Sequence, residues 1–497
     1  MKIALVHDWL PFMGGAERVV TNFLEIFEGS PIYTSVYNRE KLEGLLKDAD
    51  IKGSFLQNIK SAVKDHRKFL PLMPSAFESF DLNSYDVVLS SSSSCAKGVI
   101  TSPSTCHICY CHSPMRYGWE FYYEYIQNVG KLKKIFIKYA MNYMRIWDNI
   151  SSNRVDYFIA NSKNVAKRIW KHYRRESVVI HPPVRSKFFE VCDEKEDYFL
   201  IVSRLQEYKK VDLSVEVCNK LNIPLVVIGD GPMKQEILKK VNSDKIKILG
   251  RQPDDVVKEY YKKAKAFLFP GEEDFGITPL EAQASGTPVI AFGKGGALET
   301  VIENKTGVFF SEQSVDSMID GIERFNKMEF DKFEIRKHAE TFDEEIFKNK
   351  ILKFVEEKTE EFSKNEKWKV LYELLKSDIK IIIREEDLED YSFVNSKSLM
   401  IFKNVKNSKD RNLCEQIYLP KIISSTFKNC LVHYPDSMAP IFLNNKNIVI
   451  TVHDLAFKSL SGAFTKKSVL WKSLITGLSV KKCNRIISIT NFSKNEL

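Results

Sequence analysis

Residues 266–281 read Ala-Phe-Leu-Phe-Pro-Gly-Glu-Glu-Asp-Phe-Gly-Ile-Thr-Pro-Leu-Glu, so a short apolar run, a glycine-containing loop and the start of a helix follow one another directly. A four-residue apolar run bounded by a turn is typical of a buried strand in a parallel sheet. The loop then lies at the carboxyl edge of that sheet, where such folds bind ligands. Thr278, Pro279 and Glu281 predict the N-cap, N1 and N3 positions of the helix, a capping box.

The same alternation of strand and helix continues through about the first 310 residues. Amphipathic segments such as 16–27 and 256–264 separate many of the apolar runs, which favours an α/β fold built on doubly wound parallel sheets. The strands are too numerous for one such sheet, so we expect two. The predicted strands are 2–6, 86–89, 107–110, 157–160, 198–202, 225–228, 246–249, 266–269, 288–291 and 308–310.

The order of these elements predicts two Rossmann-like lobes and a third, partial one. His181-Pro-Pro-Val184 breaks local structure where a linker between the first two lobes is needed. Later in the chain, 448–455 is similar to 107–112, and 485–497 is similar to 157–169, so the third lobe repeats features of the first. The predicted domains are 1–185, 186–330, the return helices and linker 331–365, and the incomplete lobe 366–497.

The positive charge of the chain is concentrated in one segment. The formal charge is +9, but residues 131–175 hold twelve lysines and arginines against two aspartates, so the other 452 residues sum to −1. A basic amphipathic helix can rest on an anionic membrane surface. The alternatives are a solvated helix whose apolar side is core, and a nucleic-acid surface. The apolar residues among these cations are Ile135, Phe136, Tyr139, Tyr143, Ile146 and Trp147.

Composition excludes several classes of protein. The 44% of apolar and 28% of charged residues are ordinary for a soluble globular chain. No run approaches the ~18–20 apolar residues of a spanning helix, and the first residues have no signal-peptide profile. Nine scattered cysteines favour reduced thiols in a cytoplasmic protein. The cluster 106–112 is not a metal site, because side chains alternate sides along a strand.

Two glycines mark a candidate phosphate site in the first lobe. Gly14-Gly15 follows a strand and opens a helix, and glycine lets the backbone approach a phosphate at the helix N-terminus. A tight turn without a ligand explains the pair equally well. The full Gly-x-Gly-x-x-Gly fingerprint is absent, which counts against an NAD enzyme.

The second lobe supplies carboxylates and backbone amides at one loop. Glu273 and Glu281 flank the amides of Gly276, Ile277 and Thr278. Carboxylates accept hydrogen bonds from hydroxyls and amides bind phosphate, so this combination suits a ligand that carries both.

Two cations and one histidine complete the candidate site. Arg204 and Lys209 follow the strand 198–202 and leave the same sheet edge, where they can converge on a diphosphate. Ordinary surface cations are the alternative. His112 ends a strand of the first lobe and is expected to face the cleft.

These motifs occur together and in order, and as a set they resemble a known family. The chain resembles the retaining glycosyltransferases of family 4, which have the two-lobed GT-B fold, over about residues 1–360. It is most similar to the mannosyltransferase-like bacterial and archaeal members that build O-antigen or capsular polysaccharide. The motifs are Gly14-Gly-Ala-Glu-Arg18, His112-Ser-Pro114, Arg204 with Lys209, Gly229-Asp-Gly-Pro232, Glu273-x7-Glu281 with its continuation to Ala291, and Gly295-Gly-Ala-Leu-Glu-Thr300.

The resemblance implies catalytic roles for four residues. Arg204 and Lys209 neutralise the nucleotide diphosphate that leaves, an electrostatic contribution to the transition state. Glu273 holds the donor sugar, and His112 contacts that sugar near the reaction centre. Retention implies attack from the same face, with the departing phosphate accepting the acceptor's proton.

The resemblance also implies how the donor is held. Glu281 binds the ribose hydroxyls, while amides at Gly14 and Gly15 and at Gly276, Ile277 and Thr278 bind phosphate and sugar. The donor is a nucleotide-diphosphate hexose, with GDP-mannose favoured, and no cofactor is implied. No metal is expected either, and no Asp-x-Asp pair is set as a metal anchor in these lobes.

The implied partners are the nucleotide-sugar donor and a glycan or lipid-linked glycan acceptor of the lipopolysaccharide type, with no nucleic acid. The implied location is cytoplasmic, with 131–175 peripheral at the inner face of the cell membrane. Two alternatives stay open: a catalytically inactive sugar-nucleotide-binding or membrane-scaffold subunit, and a GT-B sugar-nucleotide epimerase.

The remainder of the chain resembles the first lobe of a second family 4 enzyme. The resemblance rests on 413–420, 431–433, 452–455 and the closing residues 493–497. No glycine occurs between Gly321 and Gly462, and no second Glu-x7-Glu segment follows. We therefore expect that this lobe does not bind a sugar nucleotide alone. It is either part of a longer bifunctional enzyme or a piece used in packing or acceptor binding.

Overall fold

The computed structural model describes two compact units, Met1–Lys367 and Trp368–Leu497. The described residues are 1–127, 130–364, 381–384, 399–402, 417–426, 432–434, 448–452, 473–474, 476–481, 483 and 485–488. The division at Lys367 separates the first two predicted lobes from the third. The finer predicted domain boundaries stay predictions.

The first sheet of the larger unit has seven parallel strands in the order β3-β2-β1-β4-β5-β6-β7. Its strands are β1 (Ile3–His7), β2 (Ile32–Thr34), β3 (Ile51–Gly53), β4 (Val87–Ser92), β5 (Cys106–Cys111), β6 (Tyr157–Ala160) and β7 (Ser177–Val179). Its helices are α1 (Gly15–Ile26), α2 (Leu45–Asp48), α3 (Lys60–Lys64), α4 (Met73–Glu78), α5 (Tyr122–Gln127), α6 (Lys131–Ser151) and α7 (Lys163–Tyr173).

The second sheet has six parallel strands in the order β10-β9-β8-β11-β12-β13. Its strands are β8 (Phe199–Val202), β9 (Leu225–Ile228), β10 (Ile246–Gly250), β11 (Ala266–Phe269), β12 (Val289–Phe292) and β13 (Gly307–Phe310). Its helices are α8 (Val211–Leu221), α9 (Lys234–Lys240), α10 (Asp254–Lys263), α11 (Ile277–Ala284), α12 (Ala297–Thr300) and α13 (Val315–Phe325). The prediction of an α/β fold with two doubly wound parallel sheets is confirmed.

Both sheets reverse their strand order at one place, and this switch point positions the site. The reversal lies between β1 and β4 in the first sheet and between β8 and β11 in the second. Connections from the two central strands run to opposite sides there and leave a crevice at the carboxyl edge. The loops that carry Gly14, Arg204 and Glu273 follow β1, β8 and β11, so all three open at these crevices.

Alternation along the strands buries both faces of each sheet. Ile3 and Leu5 pack on one face of the first sheet, and Ala4 and Val6 pack on the other. The strand β5 alternates in the same way: Cys106 lies in one core cluster and Cys109 and Cys111 in another, so these thiols do not converge. The seven cysteines among the described residues are free thiols.

Two helices follow the second sheet and return the chain to the first. They are α14 (Lys332–Glu340) and α15 (Glu344–Lys364). Phe347 of α15 stacks on Phe23 of α1 at 6.0 Å and meets the ring of Tyr110 of β5 at 5.8 Å. Ile351 and Val355 join the same buried core. Residues 344–355 therefore follow the second lobe in sequence but pack into the core of the first lobe.

The smaller unit contains only short described elements. Strands β14 (Ile381–Arg384) and β15 (Leu399–Phe402) pair in parallel, and β16 (Val432–Tyr434), β17 (Ile448–Val452) and β18 (Arg485–Ser488) form a second parallel sheet. One helix, α16 (Leu419–Thr426), lies between them in sequence. His453, Asp454 and the closing residues 493–497, on which the predicted repeat depends, lie outside the described residues. The truncated second enzyme stays a prediction.

No helix in the described part of the chain has both the length and the apolar character that crossing a membrane requires.

Candidate active site

Lys209 and Glu273 form an ion pair at the switch point of the second sheet. Lys209 follows β8 and Glu273 follows β11, and these strands are neighbours, so the pair spans the crevice. Burial acts to lower the pKa of the Lys209 ammonium, but the carboxylate of Glu273 outweighs it, and the pKa lies above its ordinary value. A permanent cation therefore sits beside a carboxylate at the predicted donor site.

The helix behind this pair begins differently from the prediction. Gly276 is the N-cap of α11, with φ of +90°, and no side chain caps the helix. The predicted capping box of Thr278, Pro279 and Glu281 is wrong, because the helix starts at Ile277, two residues before the start at Pro279 that a Thr278 cap requires. Only glycine adopts this φ at no cost, and a Cβ here would lie 2.8 Å from the ring of Phe269. The amides of the first turn are thus left without a side-chain cap, as an anion site requires.

Glu281 connects the two lobes. Its Oε1 accepts a hydrogen bond from Nη1 of Arg18 at 3.0 Å, and its Oε2 accepts one from the hydroxyl of Tyr261 at 3.0 Å. Nη2 of Arg18 also donates to Asp254 at 3.0 Å. The sequence predicted a functional Glu281 but assigned no role to Arg18, which belongs to the Gly14–Arg18 motif. Arg18 therefore brings α1 of the first lobe against the predicted ribose-binding carboxylate.

The two predicted phosphate-binding turns also meet. A Cβ added to Gly15 would lie 3.3 Å from Cδ1 of Ile277, so the start of α1 touches the start of α11. The carboxylate of Glu17 lies close over Gly14, where an added Cβ would meet Oε2 at 2.9 Å. The two helix starts are hence neighbours in space, although they are some 260 residues apart in sequence.

Arg204 lies at the opening of this crevice. Its guanidinium carbon is 5.2 Å from the centroid of the Phe12 ring, two residues before Gly14. The turn at Gly229 supports the loop that carries Arg204, because Gly229 has φ of +142° and a Cβ there would be 1.8 Å from the carbonyl oxygen of Ser203. Arg204 therefore lies near the first-lobe glycine turn, and its predicted convergence with Lys209 on a diphosphate stays a prediction.

His112 is held inside its own lobe. Its Nε2 shares a hydrogen bond with Oγ of Ser91 at 2.8 Å, and Ser91 Oγ also meets Nδ1 of His7 at 3.0 Å. His7 lies 3.6 Å from the carboxylate of Glu17. Burial, reinforced by His7, lowers the pKa of His112 to about 3, so the imidazole is neutral at pH 7. A neutral His112 can hydrogen-bond a sugar hydroxyl but brings no charge to the site.

Arg116 and Asp274 are site residues that the sequence analysis missed. Nη1 of Arg116 lies 3.2 Å from Oδ2 of Asp274, and Arg168 pairs with the same carboxylate. The Arg116 guanidinium also lies 4.0 Å from the Phe121 ring, while its Nε and Nη2 are buried without a hydrogen-bond partner. The signal available in the sequence was the position of Asp274, which lies between the predicted site residues Glu273 and Gly276. The positive charge of Arg116 acts to lower the pKa of Lys209, but Glu273 outweighs this effect.

The basic segment 131–175 divides into two kinds of cation. Arg154 and Arg175 are engaged inside the first lobe with a carboxylate or with backbone carbonyls, and Arg168 pairs with Glu120 of the same lobe and with Asp274 of the second. Lys133, Lys134 and Lys138 of α6 form no ion pair with any described residue. The cations of 131–175 are therefore only partly engaged, and Lys163, Lys167 and Lys171 of α7 and the following Arg174 are exposed, as are Lys133 and Lys138 of α6.

The α6 helix carries an exposed apolar stripe beside these lysines. Phe136 is 68% exposed and Tyr139 is 76% exposed. Successive helical residues are about 100° apart, so the exposed positions fall on one stripe roughly 100° wide. Trp147 does not belong to it, because it is buried and its Nε1 donates to Glu78 at 2.8 Å. The stripe consists of Ile135, Phe136, Tyr139, Tyr143, Ile146 and Ile150.

Among the residues that the structure describes, no group of three or more His, Cys, Asp or Glu side chains is arranged to hold a metal ion.

The second lobe matches a known protein family. Residues 184–349 match the family model described as Glycosyl transferases group 1. This segment carries β8 to β13, with Lys209, Glu273 and Glu281, so the second lobe is the part of the chain that is similar to group 1 glycosyltransferases.

Two curated relatives carry mannosyltransferase names. One is the GDP-mannose-dependent alpha-(1-6)-phosphatidylinositol monomannoside mannosyltransferase of Mycobacterium tuberculosis, 34% identical over 110 residues, which are 20% of this chain and 29% of that protein. The other is the O-antigen chain mannosyltransferase RfbU of Salmonella typhimurium, 28% identical over 203 residues, 37% of this chain and 58% of that protein. The matches thus span about a third to little more than half the length of these relatives.

A solved structure extends the likeness to both lobes. HepE (Alr3699) of Anabaena, in complex with UDP, superposes with a TM-score of 0.53 and 15% sequence identity over 72% of this chain and 100% of that chain. At this identity the likeness establishes the fold alone. The two Rossmann-like lobes therefore have the GT-B arrangement.

Proposed function

We propose that this chain is a retaining glycosyltransferase of family 4 that transfers a hexose from a nucleotide-diphosphate sugar to a growing, lipid-linked cell-surface glycan. The observation that carries the proposal is the Lys209–Glu273 ion pair beside the uncapped start of α11, inside the segment that is similar to group 1 glycosyltransferases. Mannose is the favoured hexose and GDP-mannose the favoured donor, because two relatives are mannosyltransferases by name.

The donor fits the crevice in a single orientation under this proposal. The ribose hydroxyls hydrogen-bond Glu281, which then exchanges part of its contact with Arg18. The diphosphate lies against the amides of Gly15, Ile277 and Thr278, with the cations of Arg204 and Lys209 on its other sides. Glu273 then turns to the sugar hydroxyls, and the open N–H groups of Arg116 add two donors nearby.

The reaction needs no side chain to accept a proton. The bond between the anomeric carbon and the diphosphate oxygen breaks, and the acceptor hydroxyl bonds to the same face of that carbon. The departing phosphate oxygen takes the hydroxyl proton. Negative charge grows on the diphosphate as the bond breaks, so Lys209 and Arg204 stabilise the transition state more than the ground state. The neutral imidazole of His112 hydrogen-bonds the sugar without opposing the positive charge that develops on it.

A ligand screen followed by one substitution tests this function. GDP-mannose should raise the melting temperature by a few degrees at a concentration about 100 times its Kd, where binding adds about 2.7 kcal/mol to the stability of the folded state. Glu273→Gln should keep the stabilisation given by GDP alone but lose the additional part given by the hexose. The wild type should also release GDP from GDP-mannose, and the variant should not.

The adjacent carboxylate provides the matched control. Glu272→Gln makes the same replacement of a carboxylate by an amide one residue away, and it should behave as the wild type in both measurements. If the wild type binds the donor without ever releasing the nucleotide, the inactive-subunit alternative is correct. If it converts the donor to an isomeric nucleotide sugar, the chain is an epimerase. Failure of all nucleotide-diphosphate hexoses to stabilise the chain contradicts the proposal.

We further propose that the protein works at the cytoplasmic face of the membrane, where α6 rests on anionic lipid. The six apolar residues of the stripe enter the headgroup region while Lys134 and Lys138, on the neighbouring face, meet lipid phosphates. The charge complementarity and the exposed aromatic rings support a lipid surface as the partner. A lipid-linked acceptor would then reach the enzyme in the plane of the bilayer.

The membrane proposal predicts a loss of vesicle binding on charge reversal. Lys133, Lys134 and Lys138→Glu together should reduce sedimentation with vesicles of phosphatidylcholine and phosphatidylglycerol at least tenfold, since each basic residue near the surface contributes about 1 kcal/mol. Reversal of three exposed lysines in the second lobe, Lys239, Lys247 and Lys305, is the control and should have little effect. Equal sedimentation of the α6 variant and the wild type ends the membrane proposal.

A further inference from the structure

A cavity of about 400 Å³ opens at the carboxyl edge of the first sheet, beside the proposed donor site. Its lining comes from loops after β1, β2 and β3, which are neighbours in the sheet, and from Arg204 after β8. Ligands of doubly wound sheets bind at this edge. Lys209, Glu273 and Glu281 do not line the cavity, so it is a separate compartment that shares only Arg204 with the donor site.

The charge of the lining is strongly one-sided. Five cations surround the cavity, and Asp65 is the one carboxylate among the lining residues. Asp65 is already paired with Lys68 at 3.2 Å. We call this space the cationic cavity, after the five cations that line it: Lys41, Lys60, Lys64, Arg67 and Arg204.

Four of these cations have no carboxylate to neutralise them. Lys41, Lys60, Lys64 and Arg67 form no ion pair with any described residue of the chain. Lys60 and Lys64 are four residues apart on α3, so they lie on the same face of that helix. Like charges at this spacing repel each other weakly at an exposed helix surface, and an anion bound between them removes that repulsion.

The remaining polar wall is neutral. His66 is buried against the ring of Trp9 at 4.5 Å, and burial, with Arg67 adding to it, lowers its pKa to about 4. Asn38 adds an amide and Phe12 an apolar surface. The volume falls within the range that small-molecule sites occupy, and it is large enough for a phosphorylated sugar or a diphosphate group.

We infer that the cationic cavity binds the phosphate of a phosphorylated acceptor, which the reaction then glycosylates. The inference rests on the proposed function, and it names the acceptor's chemical class. The phosphate lies against Lys60, Lys64 and Arg67, while the Phe12 side leads to the crevice where Gly15 meets Ile277. An acceptor held in this way extends its hydroxyl towards the donor, and its phosphate stays unreacted.

Calorimetric titration of the full chain with inorganic pyrophosphate tests the inference. The donor site is first saturated with GDP, or with whichever nucleoside diphosphate stabilises the chain. Pyrophosphate should still bind, and Lys60, Lys64 and Arg67→Gln together should weaken its Kd at least tenfold. The triple variant should keep the melting temperature and the donor hydrolysis of the wild type. Lys239, Lys247 and Lys305→Gln, in the second lobe, should leave the pyrophosphate Kd unchanged.

Two results overturn the inference while leaving the proposed function intact. One is loss of pyrophosphate binding once the nucleoside diphosphate is present, which assigns the cations to the donor. The other is an unchanged Kd in the triple variant. Failure of the proposed function would appear separately, as absence of donor hydrolysis in the wild type.

A second measurement identifies where the phosphate comes from. Vesicles of phosphatidylcholine that contain phosphatidic acid are sedimented with the protein, with and without soluble pyrophosphate. If pyrophosphate lowers vesicle binding of the wild type but not of the triple variant, the cavity takes a lipid-borne phosphate. If pyrophosphate binds and vesicle binding is unchanged, the cavity takes a soluble phosphorylated acceptor. Both results support a phosphate-bearing acceptor.

Discussion

Replacing Lys209 with alanine should lower kcat for hexose transfer by about 10²–10³-fold, the loss that follows removal of one preorganised group from a developing anion. Lys209 is held by Glu273 across the crevice between β8 and β11, and its pKa lies above the ordinary value, so its charge is present at every physiological pH. The leaving diphosphate becomes more negative as its bond to the sugar breaks. Most of the loss should therefore appear in kcat rather than in the affinity for the donor.

The test compares initial rates at saturating donor, with donor hydrolysis as the readout until the acceptor is known. Lys234→Ala is the matched control, because Lys234 is also an ion-paired lysine at the same sheet edge, 2.8 Å from Asp230. It should change the rate less than threefold. Lys209→Arg should recover part of the activity, since it restores the charge but not the shape. A Lys209→Ala variant that keeps more than a tenth of the wild-type kcat would contradict the proposed electrostatic role.

The strands of the two sheets were predictable to different degrees. The ten predicted strands correspond to observed ones, because each contains three to five apolar residues within a short run. The strands β2, β3 and β7 were missed. Each has three residues, and so short a segment shows no periodicity. Two of them, β3 and β7, are the edge strands of the first sheet, and β2 lies next to β3.

The parts of the site that lie close in sequence were also predictable. The segment from Glu273 to Glu281 and the Gly14–Gly15 turn carry signals within a few residues. The contacts of Arg18 with Glu281 and of Arg116 with Asp274 were not predicted, because each joins residues from different lobes. Local rules also gave the wrong helix start at Thr278, since a glycine with positive φ began the helix earlier.

The distribution of charge along the sequence predicted the basic segment 131–175 but did not predict the cationic cavity. The segment 131–175 was visible because its cations are consecutive, yet the fold engages Arg154, Arg168 and Arg175 internally. The cations of the cavity come from separate loops, and in sequence the acidic residues around 40–65 cancel them. Only folding brings Lys41, Lys60 and Arg204 to one edge.

The second large expected effect is a loss of stability, and it concerns the buried ion pair of Lys97 and Asp148. Lys97 is 1% exposed, and its ammonium bonds the carboxylate of Asp148 on α6. Burial acts to lower the pKa of Lys97, but Asp148 outweighs it and raises the pKa, so the lysine stays charged. The same carboxylate accepts hydrogen bonds from Trp119 Nε1 at 2.7 Å and from the Tyr173 hydroxyl at 2.9 Å. One side chain thus fixes α6 to three other segments.

Asp148→Ala should therefore cost about 3–5 kcal/mol of unfolding free energy, the usual penalty for leaving a buried charge unpaired. At ~2–4 °C per kcal/mol, the melting temperature should fall by roughly 10 °C. Lys97→Met combined with Asp148→Leu removes both charges and should recover most of the loss, although Trp119 and Tyr173 still lack their acceptor. Urea unfolding should show a lower midpoint for Asp148→Ala with an unchanged m-value.

Because α6 carries the proposed membrane surface, vesicle binding should weaken with the single variant and return with the double one. A single variant that loses less than about 1 kcal/mol would mean that water or a neighbouring group already satisfies Lys97, and that α6 is fastened elsewhere.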